Sequence, residues 1–153
     1  MAIERIAVIG AGQMGNCIAQ VAATSGFSVV MIDINQEAVD RGMATIERSL
    51  SKLVQKERLS QEDADAARAR LSVSTDRSPC AEADLVVEAV PEILSLKQSI
   101  FEDLDSICGP DTILASNTSS ISITKIAACT SRPEKVIGCL LYTSPSPRDR
   151  SLS

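Results

Sequence analysis

The 153-residue sequence contains no histidine and no tryptophan, and only 2% of its residues are aromatic. Without histidine and without a CxxC pair, it offers neither a zinc site of ordinary spacing nor a redox dithiol, so we expect no metal. The scarcity of aromatics leaves Ala, Val, Ile and Leu to build the core, as in helices packed on a sheet. We expect small buried thiols in a reducing compartment at Cys17, Cys80, Cys108, Cys129 and Cys139.

Long apolar runs and clustered basic charge are also missing. No run approaches the length of a membrane span, and no basic N-terminal segment followed by an apolar stretch indicates secretion. The 15 basic and 20 acidic residues give a net charge of −5 with no basic stripe, which argues against binding to nucleic acid or anionic membranes. We therefore expect a soluble, cytoplasmic protein with no nucleic-acid partner and no membrane partner.

The order of the apolar segments predicts an α/β fold. Runs typical of buried strands alternate with segments of helical periodicity. The predicted strands are residues 3–9, 27–32, 71–74, 84–90, 112–115 and 136–138, and the predicted helices are residues 13–25, 36–56, 60–70, 92–107 and 122–128. This alternation predicts a doubly wound parallel sheet. Gly26 stands where the end of the first helix favours a left-handed residue, and Ser60 begins a weak capping-box pattern with Asp63. The second and third helices form an inserted helical hairpin, which is too long for a minimal crossover.

A glycine motif opens the first predicted helix. Gly10, Gly12 and Gly15 have the spacing G-x-G-x-x-G directly after a strand. In a dinucleotide site these glycines allow a tight turn, close approach of the pyrophosphate and packing of helix on strand, and the pyrophosphate rests on the helix N-terminal amides. The alternative is a tight turn that binds no ligand.

Asp33 ends the second predicted strand, about 20 residues after the motif, where an acidic side chain can accept hydrogen bonds from an adenosine ribose. Its carboxylate repels a 2′-phosphate, and no arginine follows in Ile34-Asn35-Gln36, so NAD is favoured over NADP. The alternative role for Asp33 is to cap the following helix. Together the strand, glycine turn, helix and acid predict a Rossmann-like NAD-binding domain.

Three blocks, VIGAGQMGNCIAQVAA, DLVVEAVPEILSLKQSIFEDLD and TILASNTSSISITKIA, follow one another with the hairpin between the first two. In this order they resemble the 3-hydroxyacyl-CoA dehydrogenase family, in particular its 3-hydroxybutyryl-CoA type. The resemblance implies that residues 1–138 are an NAD-binding domain, which we expect to be incomplete. It also implies reversible hydride transfer between NAD and C3 of a short-chain 3-hydroxyacyl-CoA, in fatty acid or butanoate metabolism.

The resemblance further implies roles for single residues. Glu92 and Lys97 line the nicotinamide side of the NAD site, although from the residues alone they indicate an exposed helix N-terminus and a solvated lysine. Ser49 and Lys56 in the hairpin bind the coenzyme A portion of the substrate, although each is otherwise an ordinary surface residue. The implied cofactor residues are Gly10, Ala11, Gly12, Gln13, Met14, Gly15, Asp33, Glu92, Lys97, Asn117 and Ser119.

Ser119 matches the family serine that hydrogen-bonds the substrate hydroxyl near the nicotinamide, so the resemblance implies a catalytic and a substrate-binding role. The alternative is a Ser/Thr-rich loop that caps the next helix. The family's general base is a histidine oriented by a glutamate. That histidine belongs two positions beyond Gly138, where Leu140 stands, so we expect this chain to be inactive.

The end of the chain departs from the family. The match is good through Gly138 and absent from Cys139. Residues 139–149, CLLYTSPSPRD, resemble the translation of a transposase sequencing adapter, so we expect residues 139–153 to be a non-native or disordered tail. A natural Ser/Pro-rich disordered tail is the alternative. We also expect the family's helical C-terminal domain, which completes the substrate cleft and forms the homodimer, to be missing.

Two other functions stay open at this point. One is a non-catalytic NAD-binding relative that reuses the fold. The other is a different hydroxyacid dehydrogenase that shares the G-x-G-x-M-G start, which should lack both the hairpin and the SNTSS block.

Overall fold

Six parallel strands form one sheet in the computed structural model, which describes residues 2–118 and 123–138. The elements are β1 Arg5–Ile9, α1 Gln13–Thr24, β2 Ser28–Ile32, α2 Gln36–Gln55, α3 Gln61–Arg70, β3 Leu71–Ser74, β4 Leu85–Glu88, α4 Leu94–Ile107, β5 Ile113–Ser116, α5 Ile123–Ala127 and β6 Val136–Gly138. Two short 3₁₀ turns, which the sequence did not predict, are Ser78–Glu82 and Pro133–Lys135. The predicted Rossmann-like α/β class is confirmed.

The strand order is β3-β2-β1-β4-β5-β6, so the chain winds outward twice from the centre of the sheet. The direction reverses between β1 and β4. Ile9 at the end of β1 pairs with Ile32 of β2 and with Glu88 of β4, so three strands end at the same level. In doubly wound sheets the crevice outside this point is where ligands bind.

Side chains on the two faces of the sheet form two core layers. Val8 and Met31 lie in the layer that contains α1, α2 and α3. Ala7 and Val86 lie in the opposite layer, with α4 and α5. Successive residues of a strand point to opposite faces, so strands covered on both sides are apolar throughout. Apart from Phe101, the cores are made of aliphatic side chains, methionine and cysteine, in agreement with the composition.

The helical hairpin begins and turns where its polar residues cap the helices. Asn35 caps α2 by accepting from the Glu37 N–H at 2.8 Å, so the alternative of Asp33 as the cap is wrong. Ser60 caps α3 by accepting from the Asp63 N–H at 3.0 Å, as predicted. Both caps satisfy amides that the first helical turn leaves without a partner. None of the helices in residues 2–118 and 123–138 is long and apolar enough to cross a membrane.

The boundaries of β4 and α4 differ from the prediction. Strand β4 ends at Glu88, and α4 begins at Leu94 instead of Glu92. The Ala89 N–H still bonds the Ile9 carbonyl at 2.8 Å, and the chain then turns, with the Ile93 N–H donating to Pro91 at 2.7 Å. The segment Pro91-Glu92-Ile93 therefore forms a turn, at the predicted start of the helix, that periodicity alone does not show.

The cysteines only partly meet the expectation of buried thiols. Cys80 and Cys108 are buried, and burial raises the pKa of Cys80 to about 12 and that of Cys108 to about 11. Cys17 and Cys129 are half-buried, so the expectation is wrong for them. Cys139 lies outside the described residues.

A buried arginine, which no local sequence pattern indicates, ties α4 to the second half of the sheet. Arg132 donates to the Asp105 carboxylate at 2.8 Å and to the backbone carbonyls of Asp105, Cys108, Gly109 and Thr112. These carbonyls lie at the end of α4 and before β5, where few backbone donors are available. The Arg132 side chain thus supplies hydrogen-bond donors to the backbone carbonyls of the turn that leads into β5.

Helix α2 ends at a non-glycine residue in the left-handed region. Glu57 has φ 57°, and the Arg58 N–H donates to the Leu53 carbonyl at 2.9 Å, as in a Schellman motif. Helix α1 ends in the same way at Gly26, with φ 106°, as the sequence predicted. Glycine adopts this conformation without the steric cost that a Cβ imposes.

Replacing Glu57 by glycine should therefore stabilise the domain. We expect Glu57→Gly to raise the free energy of unfolding by about 0.5–1 kcal/mol, since the strain exceeds the added chain entropy. Urea unfolding followed by circular dichroism measures it. The matched control, Gly26→Ala, should lower the same free energy. An unchanged or lower stability of Glu57→Gly would contradict this assignment of strain.

Candidate functional site

The glycine turn between β1 and α1 is shaped by two close contacts and one open position. A Cβ on Gly15 would lie 1.9 Å from the Gly10 carbonyl oxygen, and one on Gly10 would lie 2.7 Å from that of Ala89. A Cβ on Gly12 would meet nothing within 4 Å. Gly10 and Gly15 therefore serve packing, whereas Gly12 keeps a backbone surface bare for close approach from outside.

The N-terminus of α1 presents free amides beside this surface. Gly12 is the N-cap, and within the described ranges no side chain caps the helix and no acidic residue lies in its first turn. Intrahelical bonding starts with the Asn16 N–H, which donates to the Gly12 carbonyl at 2.9 Å. The N–H groups of Gln13, Met14 and Gly15 precede it at the positive end of the helix dipole. This arrangement fits an anion such as a pyrophosphate.

Asp33 lies at the end of β2, where backbone amides fix its carboxylate. Its Oδ2 accepts from the Ala11 N–H at 3.1 Å, and its Oδ1 accepts from the Asn35 N–H at 3.1 Å. Each oxygen keeps a further lone pair for a hydroxyl donor. The Ala11 amide is thus engaged by Asp33, so in this structure Ala11 positions the carboxylate. A direct contact of Ala11 with a ligand stays a prediction.

A cavity of about 230 Å³ opens beside Asp33 and Gly10. Its walls include Val90, Leu96 and Ile34, whose side chain is 82% exposed. An exposed isoleucine at the mouth of an apolar cavity suits contact with a flat ring system. The glycine turn, the carboxylate and this cavity together fit the pyrophosphate, ribose and adenine of a dinucleotide.

Arg77 also lines this cavity, which the sequence did not predict. Asp103 holds its guanidinium at 2.7 Å, so the group has a fixed orientation. No arginine stands among the three residues directly after Asp33 in the sequence. The fold instead brings one from the segment after β3, which no local pattern signals.

A buried ionic cluster lies at the ends of β4 and β5. The Glu88 carboxylate is 0% exposed and accepts from Lys97 Nζ at 2.6 Å, the Val90 N–H at 2.7 Å and Ser116 Oγ at 2.5 Å. Lys97 is also 0% exposed. The expectation of a solvated lysine, drawn from the residues alone, is therefore wrong. The available signal was Glu88 itself, a charged residue inside the apolar run of β4.

Glu92 extends this cluster toward solvent. Its Oε1 lies 3.1 Å from Lys97 Nζ, its Oε2 accepts from Thr118 Oγ1 at 2.6 Å, and its side chain is 36% exposed. Glu92 and Lys97, which the resemblance assigned to one side of the NAD site, are thus in direct contact. Asn117 follows β5 at the same edge, and its N–H donates to the Glu88 carbonyl at 2.8 Å. Ser119 lies outside the described residues.

The hairpin contributes Ser49 and Lys56 from α2 and its C-cap. Ser49 is half-buried and its Oγ accepts from Gln20 Nε2 of α1 at 2.9 Å, whereas Lys56 is exposed. They are seven positions apart in the sequence, so they lie roughly 10 Å apart along the helix axis on nearly the same face. The structure brings neither into contact with the glycine turn.

Gly42 couples the hairpin to the glycine turn, a contact that the sequence did not predict. A Cβ on this residue would lie 2.9 Å from the Ala11 carbonyl oxygen and 2.9 Å from Met31 Cε. Helix α2 therefore packs against the back of the turn. Gly42 carries no local signal, because an isolated glycine in a helical pattern has several possible causes.

No group of three Cys, Asp or Glu side chains in residues 2–118 and 123–138 could hold a metal ion. The fold and the site thus define a dinucleotide-binding α/β domain.

Comparison with known proteins gives the family. The family model described as "3-hydroxyacyl-CoA dehydrogenase, NAD binding domain" matches residues 5–147. The chain therefore belongs to the 3-hydroxyacyl-CoA dehydrogenase family and carries its NAD-binding domain. The predicted family and the predicted cofactor, NAD, are confirmed at this level. The matched range extends beyond Gly138 into residues that the structure does not describe.

Individual relatives agree with this assignment. The probable 3-hydroxybutyryl-CoA dehydrogenase of Bacillus subtilis is 44% identical over 147 residues, which cover 96% of this chain and 51% of the relative. That of Deinococcus radiodurans is 47% identical, with 94% and 51% covered. The solved (S)-3-hydroxybutyryl-CoA dehydrogenase from Ralstonia eutropha has a TM-score of 0.90 and 45% identity, with 96% and 52% covered. The chain spans about half the length of these relatives.

The two kinds of glycine in the turn should respond differently to an added methyl group. Gly15→Ala should lower the free energy of unfolding by at least about 2 kcal/mol, because the Cβ overlaps backbone. Gly12→Ala should lower it by less than about 1 kcal/mol, the ordinary difference at an N-cap. Denaturant unfolding of both variants tests the contrast, and equal losses of stability would contradict it.

Proposed function

We propose that this chain is the NAD-binding part of a 3-hydroxybutyryl-CoA dehydrogenase, which exchanges a hydride between NAD and C3 of a short-chain 3-hydroxyacyl-CoA. The observation that carries the proposal is the glycine turn, in which Gly15 packs on Gly10 while Gly12 and the uncapped α1 amides stay open. The named activity of the relatives supports the substrate class.

The adenosine half of NAD fits the β2 side of the turn. Amides of Gln13, Met14 and Gly15 would donate to the pyrophosphate, with Gly12 allowing close approach. Asp33 would accept from the ribose hydroxyls, and its charge disfavours the 2′-phosphate of NADP. The adenine would occupy the cavity beside Asp33, where Arg77 lies.

The nicotinamide half would lie over the ends of β4 and β5, because β4 is the neighbour of β1 on the side away from β2. Glu92, Lys97 and Asn117 are near those ends. Bound there, NAD supplies the hydride acceptor of the reaction. We propose that Ser119, which follows in sequence, hydrogen-bonds the substrate hydroxyl.

The coenzyme A portion of the substrate would contact the hairpin. Gln20 donates to Ser49, which leaves the Ser49 hydroxyl proton available for a phosphate oxygen. Lys56 would add an ammonium group for the same anion. The proposed roles of Ser49 and Lys56 rest on the family resemblance, and the contact of Gln20 with Ser49 supports the role of Ser49.

The complete enzyme is proposed to be a cytoplasmic homodimer that uses a histidine as general base. This 153-residue chain contains no histidine, so we expect it to bind NAD without turning over substrate. A non-catalytic NAD-binding relative is the second candidate function, since the described site accounts for binding alone. Residues 1–138 are proposed as the domain, with 139–153 outside it.

Cofactor preference tests the adenosine half of the site. Isothermal titration should give an affinity for NAD⁺ about tenfold or more above that for NADP⁺, because the Asp33 carboxylate repels the 2′-phosphate. Asp33→Asn should narrow the difference while the fold is kept. Gly12→Ala should weaken NAD⁺ binding by about tenfold or more. Equal affinities of the unmodified chain for the two nucleotides would refute the assignment of Asp33.

Acetoacetyl-CoA tests the substrate half. We expect Lys56→Ala to weaken its binding by about threefold to tenfold, because one phosphate contact is lost. Lys125→Ala, an exposed lysine on α5, is the charge-matched control and should leave binding unchanged. When NADH and acetoacetyl-CoA are mixed with the purified chain, the absorbance of NADH should stay constant, because we expect no hydride transfer. Clear NADH oxidation by the purified chain would disprove its inactivity, and equal effects of the two lysines would disprove the hairpin site.

A further inference from the structure

The buried carboxylate of Glu88 is the feature of the site that its packing does not explain. Its two oxygens accept three hydrogen bonds, from Ser116 Oγ at 2.5 Å, Lys97 Nζ at 2.6 Å and the Val90 N–H at 2.7 Å, with no exposed surface. A buried ion pair is weak support for stability, because desolvation offsets the attraction and apolar replacements often do as well. A buried carboxylate at this position therefore points to a role other than stabilising the fold.

The charges in this cluster do not cancel. Lys97 Nζ lies 2.6 Å from Glu88 Oε2 and 3.1 Å from Glu92 Oε1, so one ammonium group is shared by two carboxylates. The three side chains therefore carry a formal net charge of −1. Two of them are fully buried, so solvent screens this charge much less than it screens a surface pair.

The cluster lies next to the place where the nicotinamide would be. Glu88 pairs with Ile9 across the sheet, and the Ala89 N–H bonds the Ile9 carbonyl at 2.8 Å. The Ala89 carbonyl oxygen lies against the glycine turn, where a Cβ on Gly10 would be 2.7 Å from it. A dinucleotide with its ribose at Asp33 must send its other half away from β2, across the ends of β4 and β5. That path passes over Glu92 and the buried pair behind it.

The two redox forms of the cofactor differ in charge at that end. The nicotinamide ring of NAD⁺ carries a positive charge, whereas the ring of NADH is neutral. A fixed negative charge in a poorly solvated site attracts the oxidised ring and leaves the reduced ring nearly unaffected.

We propose that Glu88 is a positioning residue that holds Lys97 and Glu92 at the nicotinamide end, and that the excess negative charge it gives the cluster favours NAD⁺ relative to NADH. This inference rests on the proposed NAD-binding function. It concerns the ratio of two affinities, which a purely structural role of Glu88 would leave unchanged.

The experiment compares the dissociation constants for NAD⁺ and for NADH in the 153-residue chain and its variants. Glu88→Gln keeps the size of the side chain and neutralises the cluster. We expect it to raise the ratio of the NAD⁺ constant to the NADH constant by about threefold to tenfold. Glu47→Gln removes a carboxylate from the surface pair with Arg68, which measures 2.7 Å, and should leave the ratio unchanged.

Two further variants separate charge from structure. The double variant Glu88→Gln/Lys97→Met retains Glu92 and restores a net charge of −1, so the ratio should return toward that of the unmodified chain. Ser116→Ala removes a hydrogen bond to Glu88 without changing charge, so it should affect both constants alike. Thermal unfolding of each variant reports whether it folds.

The outcomes are distinguishable. Equal weakening of both nucleotides in Glu88→Gln overturns the charge bias and leaves only a structural role. If Glu88→Gln does not fold, Glu92→Gln, at a partly exposed member of the cluster, must raise the ratio in the same direction, and an unchanged ratio there also overturns the inference. If the unmodified chain binds neither nucleotide, the proposed function itself fails.

Discussion

The contact between Gly15 and the carbonyl of Gly10 is the constraint on which the rest of the site depends. Because a Cβ on Gly15 would lie 1.9 Å from that oxygen, α1 can begin directly against the end of β1 only with glycine there. This close start aims the free amides of α1 at the crevice between β1 and β4. Helix α2 approaches the same turn at Gly42, where a Cβ would lie 2.9 Å from the Ala11 carbonyl oxygen. A dinucleotide site follows from these distances before any ligand contact is considered.

Strands β1, β2 and β4 end at the same level of the sheet, and this brings together groups that are distant in sequence. Asp33 follows the last residue of β2, and Glu88 is the last residue of β4. The first is half-buried and would accept from a ribose in the proposed site, whereas the second is fully buried and would act through Lys97 and Glu92. One edge of the sheet thus carries two carboxylates in different environments, and this difference in burial is the basis of the separate roles proposed for them.

Local signals in the sequence were sufficient for the strand and helix alternation, the hairpin, the Ser60 cap and the left-handed Gly26. They were also sufficient for the positions of the glycine turn and of Asp33 directly after β2, because one βαβ unit fixes the spacing between them. The sequence could not show the burial of Lys97, because that depends on a partner in a different element. For the same reason Arg77 in the cavity and Arg132 at the end of α4 were missed: both act on groups that only the folded sheet brings near.

The most direct measurement of the central claim is a crystal structure of the chain with NAD⁺ bound. We expect the pyrophosphate against the amides of Gln13 and Met14, the adenosine ribose on Asp33, and the nicotinamide over the ends of β4 and β5. A nucleotide bound elsewhere would contradict it, for example in the larger cavity of about 510 Å³ near Arg70 and Ser28, at the opposite ends of the strands.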